Sequence, residues 1–138
     1  MTPDQIELVQ ESFRHVAPIR EKAAELFYGR LLSTDPSTVP LFARSDMALQ
    51  GQKLMAALAM VVSALDQPEK VVPVARDMAK RHLSYGVRQE HYASVGAALI
   101  WTLQRGLGPA FTPEVEAAWK AAYAALSGAM IEAAYAPA

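Results

Sequence analysis

An imidazole interrupts an apolar helical pattern near the middle of the 138-residue chain. Val71, Val74, Met78, His82 and Tyr85 follow one another at spacings of three or four residues, which is the repeat of one helix face turned toward a core. A core position normally takes a hydrocarbon, so an imidazole there needs a hydrogen-bond partner or a metal ion. Taken alone, His82 is more often a satisfied core histidine than a metal ligand.

Two other predicted helices carry a polar group on an apolar face. Tyr28 shares one face with Ala24 and Leu31, and Gln50 belongs to another. Each has an ordinary explanation on its own, because a buried tyrosine often bonds a backbone carbonyl and a glutamine near a helix start is often solvated. Together with His82 they predict an apolar cavity that has one metal ligand and two hydrogen-bond donors. The face that contains Gln50 comprises Met47, Gln50, Leu54, Leu58, Val61 and Leu65.

A lone imidazole limits the kind of metal site that this cavity can form. One histidine cannot hold zinc or copper by itself. It can anchor an iron whose other ligands come from a porphyrin. The chain has no cysteine, which excludes disulfides, zinc-thiolate sites, thiolate nucleophiles and covalent haem attachment through a Cys-x-x-Cys-His motif.

Helical periodicity runs through the whole chain and predicts a compact all-α domain that spans residues 1–138. No segment alternates as a strand does, and the connections between helices are short. We expect six or seven helices. The first is predicted from a Thr2-Pro3 cap to near Pro18, the second from Ile19 to Ser33, and a short helical turn begins at Asp35-Pro36. A long helix is predicted from an Asp46 cap to Leu65, and the His82 helix follows breaks at Pro68 and Pro73 and ends at Gly86. The last two helices are predicted from Gln89 to Leu107 and after a Thr112-Pro113-Glu114 cap.

The charge and hydropathy of the chain exclude several partners. Thirteen basic and fourteen acidic residues are scattered in mixed sign, so no basic stripe is available for nucleic acid. The longest uncharged runs, Leu54–Leu65 and Tyr92–Gln104, are shorter than the roughly 20 residues that span a bilayer. The N-terminus has no signal-peptide pattern. We therefore expect no membrane partner and a cytoplasmic location.

A series of short motifs follows the helices in a defined order. They are Phe27-Tyr28, Asp35-Pro36 through Pro40-Leu41-Phe42, Gln50-x-x-Lys53-Leu54-Met55, Lys80-Arg81-His82 through Tyr85-Gly86-Val87, His91-Tyr92-x-x-Val95-Gly96, and Gly108-Pro109-Ala110-Phe111-Thr112-Pro113 leading to Ala118-Trp119 and Tyr123. In order and spacing this series resembles the globin family over essentially the whole chain. Within that family it is similar to bacterial single-domain haemoglobins, to the globin part of flavohaemoglobins and to neuroglobin-like chains.

The resemblance implies a globin fold around a non-covalent haem b, with His82 as the proximal ligand through Nε2. Tyr28 matches the distal tyrosine of bacterial globins, and Gln50 stands where many globins carry the distal histidine. Leu54 lies one turn further along, over the iron. Phe42 matches the ring on the porphyrin face, while Lys53 and Arg81 would reach a propionate. The cofactor-binding residues so implied are Phe42, Gln50, Lys53, Leu54, Arg81, His82, Val87 and Tyr92.

The implied function is reversible binding of oxygen, with CO and NO as further ligands. Two distal donors, Tyr28 and Gln50, predict tight oxygen binding, since each stabilises negative charge on the ligand. An alternative is a nitric oxide dioxygenase that depends on an external reductase. The distal pocket serves both equally, so it does not choose between them.

The sequence departs from the flavohaemoglobin pattern in two places. No reductase domain follows the globin part. The tyrosine of the pair that polarises the proximal histidine is present as Tyr92, but Ala134 stands at the position of its glutamate, and Glu132 is predicted to face elsewhere. Weak polarisation makes peroxidase-like cleavage of an O–O bond less expected.

Two other functions are less expected for this chain. A sensor is disfavoured because no transmitter domain is attached, and a helical interaction module without haem would bind no cofactor. Because glutamine is a poor iron ligand, we expect ferrous haem to be mainly five-coordinate.

Overall fold

The computed structural model describes residues 1–135 and is all-α over that range, as the periodicity predicts. It contains six α-helices, which we label α1 to α6, and three short 3-10 helices. The α-helices are Pro3–Val16, Arg20–Thr34, Met47–Ser63, Pro68–Ser84, His91–Leu107 and Pro113–Tyr135. The 3-10 helices are Ala17–Ile19, Pro36–Phe42 and Gly108–Ala110. No described helix is long and apolar enough to cross a membrane.

Local capping determines where several of these helices begin and end. Thr2 and Gln5 form a reciprocal capping box at the start of α1, with both hydrogen bonds at 3.1 Å. The Asp46 carboxylate accepts the backbone N–H groups of Ala48 and Leu49 at the start of α3. Gly86 follows α4 with a φ of 92°, a conformation that favours glycine. These three predicted boundaries are confirmed.

The prediction that Pro68 and Pro73 break the chain before the His82 helix is wrong. Pro68 occupies the first turn of α4, where its missing N–H has no intrahelical partner to lose. Pro73 lies inside α4, one turn further on. Both Pro73 and Glu69, whose carbonyl loses a donor there, are exposed, so the lost hydrogen bond lies on the solvent side.

The helices enclose one main core and one smaller cluster. The most extensive interfaces between helices join α1 to α6, α2 to α5, α4 to α6 and α2 to α3. At the α2–α3 crossing a Cβ on Gly51 would lie 2.9 Å from Ala24 Cβ, so only glycine permits this approach. Trp119 Nε1 donates to Ser12 Oγ at 2.9 Å and ties α6 to α1 inside the main core. The smaller cluster contains Ala75, Ala79, Tyr92 and Met130.

The apolar faces predicted for α3 and α4 are less buried than expected. Small side chains make the close contacts of α4, where Ala75 and Ala79 are buried. Val71, Val74, Met78 and His82 are half-buried, and so are Met47, Gln50, Leu54 and Leu58 on α3 and Leu65 in the turn that follows it. The inclusion of Tyr85 in a core-facing stripe is wrong, because this side chain is 68% exposed.

A cavity lies between the end of α3 and the start of α4. These two helices have no interface comparable to those listed above for α3 with α2 or α4 with α6. The cavity has a volume of about 300 Å³. It is lined by Met60, Val61, Ser63, Ala64, Gln67, Lys70, Val71 and Val74. The C-terminal end of α3 and the N-terminal end of α4 therefore border this cavity.

Candidate functional site

His82 lies near the C-terminal end of α4 with its ring half-buried. Its Nδ1 is 2.6 Å from the Met78 carbonyl oxygen, and that contact requires Nδ1 to carry a proton and donate it. In the neutral ring the lone pair is then on Nε2, which has no hydrogen-bond partner among the described residues. In metal-binding histidines, a hydrogen bond of this kind from the ring nitrogen that does not bind the metal orients the ring. The local helix geometry therefore presents Nε2 as a ligand atom.

Tyr28, Gln50 and Phe42 come together from three different elements. The Tyr28 hydroxyl on α2 donates to the Gln50 carbonyl on α3 at 3.4 Å. The Gln50 side-chain amide donates to Ser45 Oγ at 3.5 Å. The Phe42 ring packs edge-on against Tyr28 with centroids 5.3 Å apart. Both hydrogen bonds are long, so the two donors are only weakly engaged by the protein.

Burial raises the pKa of Tyr28 to about 12. The desolvated hydroxyl disfavours its anion, since a phenolate among apolar rings has little to stabilise its charge. The Tyr28 hydroxyl is thus a neutral donor across the physiological pH range.

The remaining residues expected on the α3 side differ in burial. Leu54 is half-buried and packs against the main core, on the same side of α3 as Leu58. Lys53 is exposed and makes no ion pair within residues 1–135. Arg81, on α4, pairs with Asp77 at 3.7 Å, and both side chains are more than half exposed. Lys53 and Arg81 therefore lie on the surface, and the Arg81 pair contributes little to stability.

Val87 and Tyr92 lie on the α4 side and contact α6. The Val87 carbonyl accepts a hydrogen bond from the Tyr135 hydroxyl at 2.7 Å, and the Tyr92 carbonyl accepts one from Tyr123 at 2.5 Å. The Tyr92 side chain is 7% exposed, yet its own hydroxyl has no partner among the described residues. Burial, and then the nearby Tyr135, raise the pKa of Tyr92. This hydroxyl is a buried donor that the described protein atoms leave unused.

The last helix places no carboxylate on the Tyr92 cluster. Ala134 is half-buried and packs against that cluster, whereas Glu132 is exposed. This confirms the helical-spacing argument that Glu132 faces elsewhere. The His82 ring is therefore hydrogen-bonded to a backbone carbonyl rather than linked to a carboxylate in the described residues.

One contact joins the Phe42 side of the site to the His82 side. Leu41 Cδ2 lies 3.7 Å from the position that a Cβ on Gly86 would occupy. Gly86 belongs to the turn after α4, which we define as residues 85–90 and call the post-His82 turn. The segment that ends at Phe42 thus lies next to the turn that follows His82, while Lys53 and Arg81 lie on the surface.

Sequence reasoning missed a polar network between these two segments. The pairs Ser37–His91 and Asp35–Ser94 are hydrogen-bonded across 54 and 59 positions of the chain, and Ser37 also donates to Asp35. His91 appears in the sequence as one residue of a motif, with no sign that its ring is 2% exposed and hydrogen-bonded. An Asp-Pro-Ser sequence signals a local cap, but no local signal identifies partners on a distant helix.

The donor set fits a haem better than a bare metal ion. Within residues 1–135 no group of three or more His, Asp or Glu side chains could hold a metal. His82 offers one imidazole nitrogen without a protein partner in the described residues, beside half-buried apolar side chains, and this is the kind of donor set that an iron porphyrin would require.

The globin family model matches residues 25–130, most of the chain. The chain belongs to the globin family. Globins bind haem and small gaseous ligands, and this accounts for a lone imidazole on a half-buried apolar face. The resemblance inferred from the motifs is confirmed.

Relatives by sequence carry the name flavohemoprotein. One from Bordetella parapertussis is 36% identical over 129 residues, covering 89% of this chain and 32% of that protein. One from Bacillus subtilis is 28% identical over 127 residues, covering 88% of this chain and 32% of that protein. The chain therefore spans about a third of the length of these relatives.

Solved structures establish the globin fold. A bacterial globin from Campylobacter jejuni has a TM-score of 0.84 at 24% identity, with 96% of each chain covered. A hexacoordinated heme protein from an anhydrobiotic tardigrade has a TM-score of 0.87 at 14% identity, covering 97% of this chain and 95% of the other. At these identities the likeness concerns the fold alone.

Proposed function

We propose that this globin binds haem b through His82 and uses it to bind oxygen, and also CO and NO, reversibly. The observation that carries the proposal is the His82 ring. Its Nδ1 is held by the Met78 carbonyl, which leaves Nε2 without a protein partner in the described structure. A histidine that served only the core would not need a free ring nitrogen on a half-buried apolar face.

The residues proposed to hold the haem are of two kinds. Phe42, Leu54 and Val87 are half-buried apolar side chains that suit the porphyrin faces and edges. Exposed Lys53 and Arg81 suit the propionates, which remain near solvent. For Arg81 this role requires that a propionate compete with Asp77, a weak surface partner.

Tyr28 and Gln50 are proposed as donors on the distal side. Ferrous haem supplies an open coordination site at which oxygen acquires partial negative charge. A neutral phenol and an amide N–H stabilise that charge by roughly 1.5–3 kcal/mol each where water is excluded. One such bond corresponds to about a ten- to hundredfold change in affinity or dissociation rate. Oxygen should therefore bind tightly and leave slowly.

Absorption spectra of the purified protein test the haem proposal. We expect a Soret band in the wild type and in His15→Ala, which alters an exposed histidine on α1. The ferrous form should show one broad visible band and a sharp Soret shift with CO, as five-coordinate haem does. His82→Ala should lose this spectrum, and free imidazole should restore part of it. No haem uptake by the wild type, or an unaltered spectrum in His82→Ala, would contradict the proposal.

The name of the sequence relatives favours one alternative, a nitric oxide dioxygenase. The relatives are flavohemoproteins about three times as long as the matched region, and in this alternative a separate flavin reductase supplies the electrons. Sustained consumption of NO with NADH, oxygen and a flavin reductase favours the enzyme. Consumption that stops at one equivalent of NO per haem favours the oxygen-binding protein.

We also propose that residues 1–138 form one globin domain and that the protein works in the cytoplasm. The lack of cysteine suits a reducing compartment. Cell fractionation followed by detection of the protein in the soluble fraction checks the location.

A further inference from the structure

A buried histidine outside the proposed haem contacts connects two distant segments. His91 is the first residue of α5 and is 2% exposed. Its Nδ1 accepts the Arg88 backbone N–H at 2.9 Å, so in the neutral ring the proton is on Nε2. Nε2 then donates to Ser37 Oγ at 3.1 Å. One ring thus contacts the post-His82 turn through one nitrogen and the Pro36–Phe42 helix through the other.

Asp35 completes the network from the other end. Ser37 Oγ and Ser37 N both donate to Asp35 Oδ1, at 2.5 and 3.1 Å. Ser94 Oγ, on α5, donates to Asp35 Oδ2 at 2.6 Å. The hydrogen bond from the Ser37 hydroxyl, then that from Ser94, hold the pKa of Asp35 below its ordinary value. The hydrogen bonds therefore run in one direction: His91 donates to Ser37, and Ser37 and Ser94 both donate to the Asp35 carboxylate.

The order of these groups excludes a hydrolase triad. In a triad the histidine accepts the serine proton and the carboxylate orients the histidine. Here the Ser37 hydroxyl donates a hydrogen bond to Asp35, and His91 Nε2 donates one to Ser37. No group in the network is placed to activate Ser37 as a nucleophile, so the network holds structure rather than performs chemistry.

What the network holds is the border between the two walls of the candidate site. Asp35 and Ser37 begin the short helix that ends at Phe42. Arg88 lies in the post-His82 turn, and Leu41 approaches Gly86 in the same turn. The hydrogen bonds of His91 therefore join the same two segments that the approach of Leu41 to Gly86 brings together.

We propose that Asp35, Ser37, His91 and Ser94 form a clamp that fixes the separation of Phe42 from the post-His82 turn and so governs haem retention. They are positioning residues, since they act through Phe42 and His82. The inference rests on the proposed haem site and adds a function to four residues outside it. Loss of one link should let the two walls separate, and haem should then dissociate faster.

Ser37→Ala tests the clamp because it breaks the bridge while it removes one oxygen atom. Its matched control is Ser33→Ala, an exposed serine whose hydroxyl donates only to Arg30 O of its own helix, at 3.0 Å. Haem dissociation is measured by transfer to an excess of a second apoglobin. We expect about tenfold faster loss in Ser37→Ala, the size typical of one charge-assisted hydrogen bond, and a rate within twofold of the wild type in Ser33→Ala.

A second set of variants separates positioning from general destabilisation. Ser37→Thr keeps the hydroxyl and should restore slow haem loss. His91→Gln keeps a donor near Nε2 but removes the acceptor for the Arg88 N–H, so exchange of the Arg88 amide in the haem-free protein should accelerate. Ser37→Ala should change the urea midpoint of the haem-free protein proportionally less than it changes the rate of haem loss.

The outcomes distinguish this inference from the proposed function. If the wild type takes up no haem, the proposed function fails and the clamp's effect on haem fails with it. If the wild type binds haem but Ser37→Ala and Ser33→Ala lose it equally fast, the clamp alone is wrong. Failure of Ser37→Thr to restore slow loss would likewise overturn the clamp.

Discussion

The half-buried phenol of Tyr28 and the buried phenol of Tyr92 differ in how their hydroxyls are used. Tyr28 donates weakly to a backbone carbonyl of α3 at 3.4 Å. Tyr92 has a buried hydroxyl with no partner among the described residues. An engaged but weak donor can turn to a ligand at little cost, whereas an unpartnered buried donor costs stability. The same side chain therefore leads to different predictions at the two positions.

Tyr28→Phe should accelerate oxygen dissociation about ten- to a hundredfold, because one charge-assisted donor is lost. The CO off-rate should change much less, since bound CO carries less charge. Tyr123→Phe is the matched control, because its hydroxyl donates to the Tyr92 carbonyl instead. Stopped-flow mixing of the oxygenated protein with CO measures the oxygen off-rate. An unchanged off-rate in Tyr28→Phe would remove Tyr28 from the distal role.

Tyr92→Phe should stabilise the haem-free protein, by up to about 1 kcal/mol, because it removes a buried hydroxyl that lacks a partner. Tyr123→Phe makes the same chemical change where the hydroxyl is satisfied, so it should destabilise by about 1 kcal/mol. Urea unfolding followed by circular dichroism measures both. If Tyr92→Phe is the more destabilised of the two, the Tyr92 hydroxyl has a partner that the static geometry does not show.

At the scale of the elements, small residues decide how closely the helices approach. Ala75 and Ala79 are the buried residues of α4, while the larger side chains of its predicted stripe are half-buried. Gly51 plays the same part in α3, against Ala24 of α2. Because α3 carries Gln50 one residue before this contact, the α2–α3 spacing also sets the distance from Gln50 to Tyr28.

Gly51→Ala should destabilise the protein by about 1–3 kcal/mol, since its Cβ would meet Ala24 Cβ at 2.9 Å and the helices must shift. Gly128→Ala is the control. Its Cβ meets nothing within 4 Å in α6, so the substitution should stabilise by up to about 1 kcal/mol through helix propensity. Thermal and urea unfolding measure both.

The double variant Ala24→Gly/Gly51→Ala sharpens this test. Removing the opposing methyl group should recover part of the loss, so the two substitutions should be coupled rather than additive. Additive losses would show that the close approach at the α2–α3 crossing is not the cause.

For the whole molecule, the perturbed groups define a range of pH over which their contribution to stability is constant. Hydrogen bonds from Ser37 and then Ser94 lower the pKa of Asp35. Its contribution is complete above the ordinary carboxyl pKa of about 4 and is lost as the pH falls through the lowered value. Burial raises the pKa of Tyr28, and also those of Tyr92 and Tyr123. Their contribution is complete below about pH 10 and is lost as the pH rises further.

The free energy of unfolding of the wild type should therefore decline on both sides of this range. Asp35→Asn should be less stable than the wild type at pH 6, and the difference should shrink below about pH 4. Tyr28→Phe should lose less stability than the wild type between pH 9 and about 11, because the wild type alone retains a proton at Tyr28 that its unfolded chain releases. Urea titrations at fixed ionic strength measure both differences, and pH-independent differences would contradict the assignments.

Much of the architecture follows from local chemistry. The caps at Thr2 and Asp46 and the glycine after α4 set helix ends through hydrogen bonds and a backbone conformation that involve near neighbours. The His82–Met78 hydrogen bond spans one helical turn, so its geometry is also local. The place of Pro73 inside α4 does not follow from the sequence, because the cost of a proline depends on whether the carbonyl that loses its donor meets solvent or core.

The sequence by itself determined the all-α class, the globin family and the identity of the candidate iron ligand, because periodicity, caps and ordered motifs depend on residues near one another in the chain. Only the tertiary structure decided which helix faces are closed, that the Tyr92 hydroxyl has no partner within residues 1–135 and that His91 reaches Ser37. Those features depend on contacts between residues far apart in sequence. Their existence is set by how closely whole helices pack, which the small side chains at each crossing control.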